Sequence, residues 1–319
     1  MSVLGGPSLS RGAAEALDCE LMTRLLAPQL GVRVVRATVL ATAPGRRAVV
    51  AYDTAGPGGP GPRLIAKVYA EPGRAGRIHE VLGRLEALAI PAPRPVAHLP
   101  ELGISVFTVA GGRTLDALDA AGRRAGVAAA AGWLARLHAC RIELDRRLDL
   151  DRERTAVRTW AEQVAARHPA AATAAERLLA RLEHGARTLR PSTTAPIHKD
   201  FHHQHCLVDR GRLVVIDLDE MRAGDPAVDV AHFAANLRLL ELREGGRGGG
   251  PGALETAFLD AHVARTGSRP GAVHRWFHAY TCLKIAGQLV RGRGPVPVPV
   301  GGDLERQLAL ILGEGAHPT

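Results

Sequence analysis

A chain of 319 residues with 46% apolar residues is long enough to fold as two lobes, each with its own hydrophobic core. The formal charge of +9 does not by itself indicate a nucleic-acid partner, because no basic run is interleaved with aromatic residues and no nucleic-acid-binding motif occurs. No stretch approaches the roughly 20 apolar residues of a membrane span, and the N-terminus lacks the features of a signal peptide. We therefore expect a cytoplasmic protein with neither a nucleic-acid nor a membrane partner.

The first part of the chain alternates between patterns typical of strands and of helices. Helices are predicted over residues 11–31 and 77–88. Strands are predicted over residues 32–40, 48–52, 64–69 and 104–109. Turn-rich or proline-rich composition predicts irregular connections over residues 41–47, 55–62 and 91–95. This order predicts a small antiparallel β lobe with one packed helix over residues 1–112.

The remainder, residues 113–319, is predicted to be a larger, mostly helical lobe. Its predicted helices are residues 120–140, 154–168, 171–189 and 227–242, followed by two or three more. A β-hairpin is predicted around residues 209–212, a surface loop over 245–252 and an extended segment over 295–300. The expected fold class is therefore α+β with two lobes.

Lysine is rare in this chain: Lys67, Lys199 and Lys284 are the only ones, whereas the other basic residues of fixed charge are arginines. Arginine does not replace lysine where a compact ammonium must meet phosphate oxygens in a confined space. Each retained lysine therefore indicates a chemical requirement at its position.

The most informative segment is residues 198–205, which read His-Lys-Asp-Phe-His-His-Gln-His. It places Asp200 in a polar loop, and Asp217 follows an apolar strand about one hairpin later. In a kinase active site one carboxylate orients the attacking hydroxyl, and another holds the metal that bridges the nucleotide phosphates. The order and spacing of these two aspartates indicate phosphoryl transfer.

These residues, together with Gly-Asp-Pro-Ala-Val-Asp at 224–229, resemble the aminoglycoside phosphotransferase and choline kinase branch of the protein-kinase-like fold. The resemblance runs from about residue 32 to about residue 290 and implies ATP and Mg²⁺ as cofactors. It implies that residues 1–112 are the N-terminal nucleotide-binding lobe and that residues 113–319 carry the catalytic loop and the substrate site. It implies that Asp200 orients the substrate hydroxyl and that Asp217 is the principal magnesium ligand. It also implies that Lys67 contacts the α- and β-phosphates and that Glu80 on the next helix is its ion-pair partner.

Further residues of the motif have supporting or open roles. His198 and His202 are expected to buttress the loop by hydrogen bonds, and Asp229 is expected to bond loop amides. Asp219 is predicted to point the same way as Asp217 if strand geometry persists, either assisting with the metal or facing solvent.

His205 stands where the family has an asparagine. An imidazole nitrogen suits Mn²⁺ or Zn²⁺ better than Mg²⁺, so His205 is either a direct ligand of a second metal, the holder of a metal-bound water, or the mark of a degenerate enzyme. A dedicated zinc site formed by His202, His203 and His205 is disfavoured, because adjacent histidines in one tight turn rarely converge on one ion. The glycine-rich phosphate loop of kinases is reduced to Ala-Pro-Gly at residues 43–45, which also departs from the pattern.

Three functions follow from these observations. The first is an ATP-dependent transfer of the γ-phosphate to a hydroxyl of a small molecule, and the basic chain fits a polycationic aminoglycoside poorly. The second is phosphorylation of Ser or Thr in an acidic peptide during natural-product maturation. The third is a non-catalytic module that binds a nucleotide or a partner. The acceptor, the choice of ATP over GTP and the oligomeric state are left open.

Overall fold

The computed structural model describes residues 11–190, 194–243, 252–292 and 303–316. The chain divides into two compact units, Met1–Gly111 with Val214–Ile216, and Gly112–Leu213 with Asp217–Thr319. The assignment of nucleotide binding to the first and of the substrate site to the second stays a prediction.

The first unit contains an antiparallel sheet and three helices. The helices are α1 (Arg11–Glu15), α2 (Cys19–Leu30) and α3 (Arg74–Ala87). The strands are β1 (Arg33–Ala43), β2 (Arg47–Gly56), β3 (Gly59–Pro60), β4 (Leu64–Tyr69), β5 (Pro95–Leu99) and β6 (Ile104–Thr108). The strand order is β1-β2-β4-β6-β5, with β3 beside β2.

The core of this unit lies on the sheet face formed by alternate residues of the central strands, because successive strand side chains point to opposite faces. Val50, Ala66 and Val106 are fully buried there and belong to one apolar cluster with Met22 and Leu26 of α2. Helix α3 packs against β4, β5 and β6. Strand β4, which carries Lys67, is thus held on both sides by paired strands.

Four local predictions for this unit are corrected. The first helix is interrupted, because the Asp18 carboxylate accepts from two backbone amides and starts α2 as a separate helix. Strands β1 and β2 extend through most of the predicted 41–47 connection, pairing as far as Ala43 and Arg47. The segment predicted as a loop over residues 55–62 forms strand β3, and the proline-rich connection continues into the edge strand β5, where a proline is tolerated.

The second unit is mainly helical. Its helices are α4 (Ala120–Ala139), α5 (Leu150–Arg167), α6 (Ala172–Ala186), α7 (Ala227–Arg243), α8 (Ala253–Thr266), α9 (Ala272–Leu289) and α10 (Asp303–Ala316). Its short strands are β7 (Arg113–Thr114), β8 (Ala195–Ile197), β9 (Cys206–Asp209) and β11 (Arg222–Gly224). Strand β10 (Arg212–Val215) begins in this unit, and its last two residues belong to the first unit.

Helices α7 and α9 are central to this unit, since both are buried on nearly all sides. They pack against each other, and Ala231, Ala235, Cys282 and Leu283 lie in the same buried cluster. Helices α5, α6 and α10 contribute the rest of that cluster. The polar residues that interrupt α7 and α9 are therefore placed at a buried, rigid position.

The predicted hairpin is present as β9 and β10, and the predicted helices occur with shifted ends. Helix α5 begins at Leu150, four residues before its predicted start, because the Asp149 carboxylate caps it. The two-stranded pairing of β8 with β11, which flanks the catalytic loop, was not predicted. The predicted extended segment over residues 295–300 and residues 245–251 of the predicted loop lie outside the described residues.

In the part of the chain that the structure describes, no helix has both the length and the apolar character needed to cross a membrane.

Candidate active site

The loop that follows β8 is anchored by a buried carboxylate. Asp229, in the first turn of α7, accepts hydrogen bonds of 2.7 Å from the backbone amides of both His198 and Lys199. His138 Nε2 of α4 lies 3.0 Å from the same carboxylate. Burial alone would raise the pKa of Asp229, but these hydrogen bonds lower it, so the carboxylate is ionised. Asp229 therefore fixes the loop through its amides, as predicted.

His198 supports the same loop from within the core. It is fully buried, its ring lies against Trp133 and Phe201, and its Nδ1 accepts a 3.3 Å hydrogen bond from the amide of Asp200. Because the ring is buried and bonded to the Asp200 amide, it restricts the backbone of Asp200 and so the orientation of its side chain. The expected buttressing role of His198 is consistent with these contacts.

Lys199 has an unusual backbone conformation for a residue with a side chain. Its φ of +72° lies in the left-handed region, which costs a non-glycine residue roughly 1–2 kcal/mol. Its ammonium is buried, 2.8 Å from the Glu153 carboxylate and 3.1 Å from the Tyr280 hydroxyl. Burial lowers the pKa of Lys199, whereas Glu153 opposes that effect. The ion pair ties the loop to α5 and α9 and offsets the backbone strain.

Two basic side chains contact the Asp200 carboxylate. Lys284 Nζ of α9 lies 2.7 Å from Asp200 Oδ1, and His232 Nε2 of α7 lies 3.3 Å from the same oxygen. Burial opposes ionisation, but the charge of Lys284 and the hydrogen bond from His232 keep the pKa of Asp200 well below its usual range. The side chain is still 33% exposed. Asp200 is thus an ionised carboxylate with one oxygen fixed and the group partly open to solvent.

His205 and Asp217 come together as the sequence predicts for metal ligands. His205 Nδ1 lies 2.8 Å from the backbone carbonyl of Asp200, which accepts only, so Nδ1 carries the proton. The remaining ring nitrogen, Nε2, lies 3.6 Å from Asp217 Oδ2. Burial lowers the pKa of His205, although Asp200 and Asp217 oppose that effect, so Nε2 presents a lone pair towards a carboxylate.

Asp217 does not continue the preceding strand. Its φ is +58°, and residues Leu218–Glu220 form a 3₁₀ turn. An aspartate in this strained region is uncommon and is concentrated at functional positions. The strand geometry that would align Asp219 with Asp217 therefore ends at residue 217, and Asp219 is buried. The prediction that Asp217 and Asp219 point the same way assumed a continuous strand, and that strand is not present.

A second grouping also involves His205. Among the described residues, Asp200, His202 and His205 place potential metal-ligand atoms within 4.8 Å of one another. The ring centroids of His202 and His205 are 3.7 Å apart. His203 is not part of this group, so the three-histidine zinc site is not formed. Because Lys284 already occupies Asp200 Oδ1, a divalent cation bound there would meet a like charge 2.7 Å from that oxygen.

The pair of Asp217 and His205 fits a divalent cation better. It offers one carboxylate oxygen and one imidazole lone pair, and the proton on Nδ1 is fixed by a backbone carbonyl, the arrangement that orients metal-bound histidines. A mixed oxygen and nitrogen donor set accepts Mn²⁺ more readily than Mg²⁺, which prefers oxygen throughout. The residues present are therefore compatible with a metal at this position.

In the first unit, Lys67 lies buried on β4, paired across the sheet with Ser105 of β6. Glu80 is exposed on α3. The residue of α3 that contacts the strand opposite Lys67 is its neighbour His79, whose Nδ1 lies 3.5 Å from Ser105 Oγ. The pairing of Lys67 with Glu80 stays a prediction.

Sequence reasoning missed two residues that contact Asp200. Lys284 lies 84 residues beyond Asp200, and His232 lies on a helix to which the sequence assigned no role. The rarity of lysine was the available signal for Lys284. Nothing in the local sequence distinguishes His232 from the other histidines.

The comparisons with known proteins agree with this geometry. The model of the phosphotransferase enzyme family matches residues 47–259, more than half of the chain. A search of curated proteins gives no match.

Several solved structures are similar to the chain. They include an amicoumacin kinase in complex with AMP-PNP, Ca²⁺ and Ami, with 15% identity, a TM-score of 0.64 and 96% of each chain covered. A putative aminoglycoside phosphotransferase from Ralstonia eutropha has 15% identity, a TM-score of 0.61, and coverage of 93% of this chain and 98% of that one.

A thermostable mutant of the aminoglycoside phosphotransferase APH(4)-Ia, in ternary complex with ADP and hygromycin B, has 18% identity and a TM-score of 0.59, with 93% of this chain and 99% of that one covered. Similarity at this level of identity establishes the fold and confirms the predicted two-lobed, kinase-like α+β class. The match of the family model establishes more than the fold: the chain belongs to the phosphotransferase enzyme family and is a phosphotransferase that acts on hydroxyl groups.

Proposed function

We propose that this protein transfers the γ-phosphate of ATP to a hydroxyl group of a small molecule. The observation that carries the proposal is the state of Asp200, an ionised and partly exposed carboxylate held by Lys284 and His232. A carboxylate fixed through one oxygen can accept a hydrogen bond from a substrate hydroxyl through the other. Orientation of this kind is the main requirement of phosphoryl transfer through a loose transition state.

In the proposed reaction the acceptor oxygen forms a bond to the γ-phosphorus while the bond between that phosphorus and the β–γ bridging oxygen breaks. ADP leaves with the electron pair of the broken bond, and the proton of the acceptor hydroxyl passes to Asp200. The lowered pKa of Asp200 makes it a weak base, so it orients the hydroxyl early and accepts the proton late. Lys284 keeps the carboxylate ionised until that transfer.

Asp217 and His205 would hold a divalent cation, which when bound would supply positive charge to offset that of the nucleotide phosphates. Because His205 offers an imidazole nitrogen, we propose that Mn²⁺ as well as Mg²⁺ supports the reaction. Lys67 on β4 is the proposed contact of the α- and β-phosphates, as in the family that the sequence resembles. Glu80 is left out of this proposal, because its side chain is exposed on α3.

The acceptor that fits best is a hydroxylated small molecule of low positive charge. The similar proteins are named for amicoumacin and for aminoglycosides, and one holds hygromycin B, so small antibiotics are the class to test first. A polycationic acceptor would meet the Lys284 ammonium beside Asp200, in a chain with a net charge of +9. An acidic peptide acceptor has no support from these comparisons.

An ADP-release assay over a panel of neutral, acidic and polycationic hydroxylated compounds tests the proposal, with Mg²⁺ and Mn²⁺ in parallel. Asp200→Asn preserves the shape of the side chain and removes its charge, so we expect kcat to fall by about 100-fold or more. The matched control is Asp209→Asn, an exposed aspartate at the end of β9, which should leave kcat unchanged. Equal kcat for wild type and Asp200→Asn would refute the mechanism and favour a non-catalytic role.

A further inference from the structure

The second unit contains an open pocket of about 860 Å³ that the proposed reaction does not use. Parts of α4, α8 and α9 and the start of α7 line it. Residues of the proposed reaction, Asp200, His205 and Asp217, are not among its lining residues. The pocket is therefore a separate concavity whose chemistry is set by its own side chains.

Buried imidazoles form the floor of the pocket. His274 and His262 line it and are 1% and 5% exposed. Both ring nitrogens of His274 and the Nδ1 atom of His262 have no hydrogen-bond partner among the described residues. Burial lowers the pKa of His274 to about 3 and of His262 to about 4, so both rings are neutral near pH 7. Buried polar atoms without partners are costly, and a polar ligand in the pocket would satisfy them.

Exposed guanidinium groups form the rim. Arg190, Arg265 and Arg269 line the pocket, and none of them is in an ion pair with a carboxylate in the described part of the chain. Arg190 and Arg265 each use donors on backbone carbonyls and retain others, since a guanidinium has five. Asp225, a carboxylate that lines the pocket, accepts a hydrogen bond from the backbone amide of Ala227. The rim therefore favours an anion.

The N-terminus of α9 adds to this preference. The helix has 18 residues, its N-cap is Gly271, and no side chain caps its first amides. Gly271, Ala272 and Val273 all line the pocket. Free amides and the helix dipole at such an end stabilise a negative charge.

His138 specifies a further property of the ligand. Its Nε2 lies 3.0 Å from the Asp229 carboxylate, which can only accept, so Nε2 carries a proton. Its Nδ1 is buried without a hydrogen-bond partner among the described residues, and His138 lines the pocket. A hydroxyl group of a ligand can both donate and accept a hydrogen bond and would pair with this atom.

From these contacts we infer that the α4–α8–α9 pocket binds a small anion that also carries a hydroxyl group, such as a hydroxycarboxylate or hydrogen phosphate. The arginines of the rim and the amides of α9 hold the negative charge, and the imidazoles of the floor exchange hydrogen bonds with the polar groups. The site is distinct from that of the phosphoryl acceptor, so it binds its ligand with or without nucleotide present.

Calorimetric titration of the full chain without nucleotide tests this inference with three probes: citrate, tricarballylate and inorganic phosphate. Tricarballylate has the three carboxylates of citrate without the hydroxyl. We expect saturable binding of citrate that is about fivefold tighter than that of tricarballylate, the effect of one hydrogen bond. Saturable binding of phosphate alone would identify phosphate as the ligand chemistry. Failure of all three probes to saturate would overturn the site, and equal affinities for citrate and tricarballylate would overturn the role of the hydroxyl.

A pair of variants separates this site from general attraction to a basic protein. Replacing Arg265 and Arg269 together by Gln should weaken binding at least tenfold, because two charged donors are lost. The control replaces two exposed arginines that do not line the pocket, Arg167→Gln with Arg177→Gln, and removes the same charge. If both double variants weaken binding equally, the pocket is not the binding site.

Discussion

Removal of the Lys284 ammonium is the sharpest test of how Asp200 is positioned. Lys284→Met keeps most of the side-chain volume in α9 but leaves Asp200 Oδ1 without its 2.7 Å partner. A hydrogen bond between charged groups contributes about 1.5–3 kcal/mol, and we take the lower end because exposure screens such pairs. If that stabilisation orients the carboxylate in the transition state, about 1.5 kcal/mol corresponds to a fall in kcat of roughly tenfold.

The pH dependence of kcat distinguishes this role from a loss of packing. Lys284 lowers the pKa of Asp200, so its removal must raise that pKa. Because the ionised carboxylate is the active form, the acidic limb of the kcat profile should move to higher pH in Lys284→Met. Lys284→Arg is the matched control, since it retains the positive charge and should leave the limb near its wild-type position while lowering kcat through altered geometry.

Steady-state ADP release between pH 3 and 9, with circular dichroism to confirm folding of each variant across that range, provides the measurement. We expect KM for the acceptor to change less than kcat, because the lost interaction acts on the carboxylate that orients the reacting hydroxyl. An acidic limb that stays in place or moves to lower pH in Lys284→Met would contradict the proposed electrostatic role.

Two further predictions concern the motif itself. His205→Asn supplies an oxygen donor where the imidazole stands, so the ratio of kcat/KM with Mg²⁺ to that with Mn²⁺ should rise; an unchanged ratio would mean that His205 does not bind the metal. Lys199→Met should destabilise the protein by about 3–5 kcal/mol in urea unfolding, because Glu153 is left charged and buried, whereas the double variant Lys199→Met with Glu153→Gln should recover part of that loss. No recovery in the double variant would show that the pair is not what stabilises the loop.

The placement of Asp200 and Asp217 could be predicted from the sequence because both depend on local features. The apolar run of β10 ends at Val215, and the polar loop after β8 contains a short motif of fixed spacing. Strand and turn patterns over a few residues determine such positions. The geometry beyond Asp217 could not be predicted, because its left-handed φ changes the direction in which residue 219 points.

The orientation of helix α3 illustrates a second limit of prediction from the sequence. Helical periodicity predicts a helix after β4 and identifies Ile78, Leu82 and Leu85 as its buried face. It does not determine the rotation of that face to within one residue, and a shift of one position turns a helix by about 100°. Residue 79 rather than Glu80 therefore reaches the sheet, and resemblance to a family cannot decide between neighbours on a helix.

The contacts of Asp200 depend on the packing of α7 and α9, which brings residues 32 and 84 positions away to one oxygen. Because α7 and α9 are buried on most sides, polar side chains on them such as His232 and Lys284 are costly unless they have a partner. The search for that partner leads to Asp200, which is itself the residue that the motif identifies. Two independent lines, a local motif and a requirement of burial, thus converge on the same carboxylate, and this convergence supports turnover more strongly than the departure at His205 argues against it.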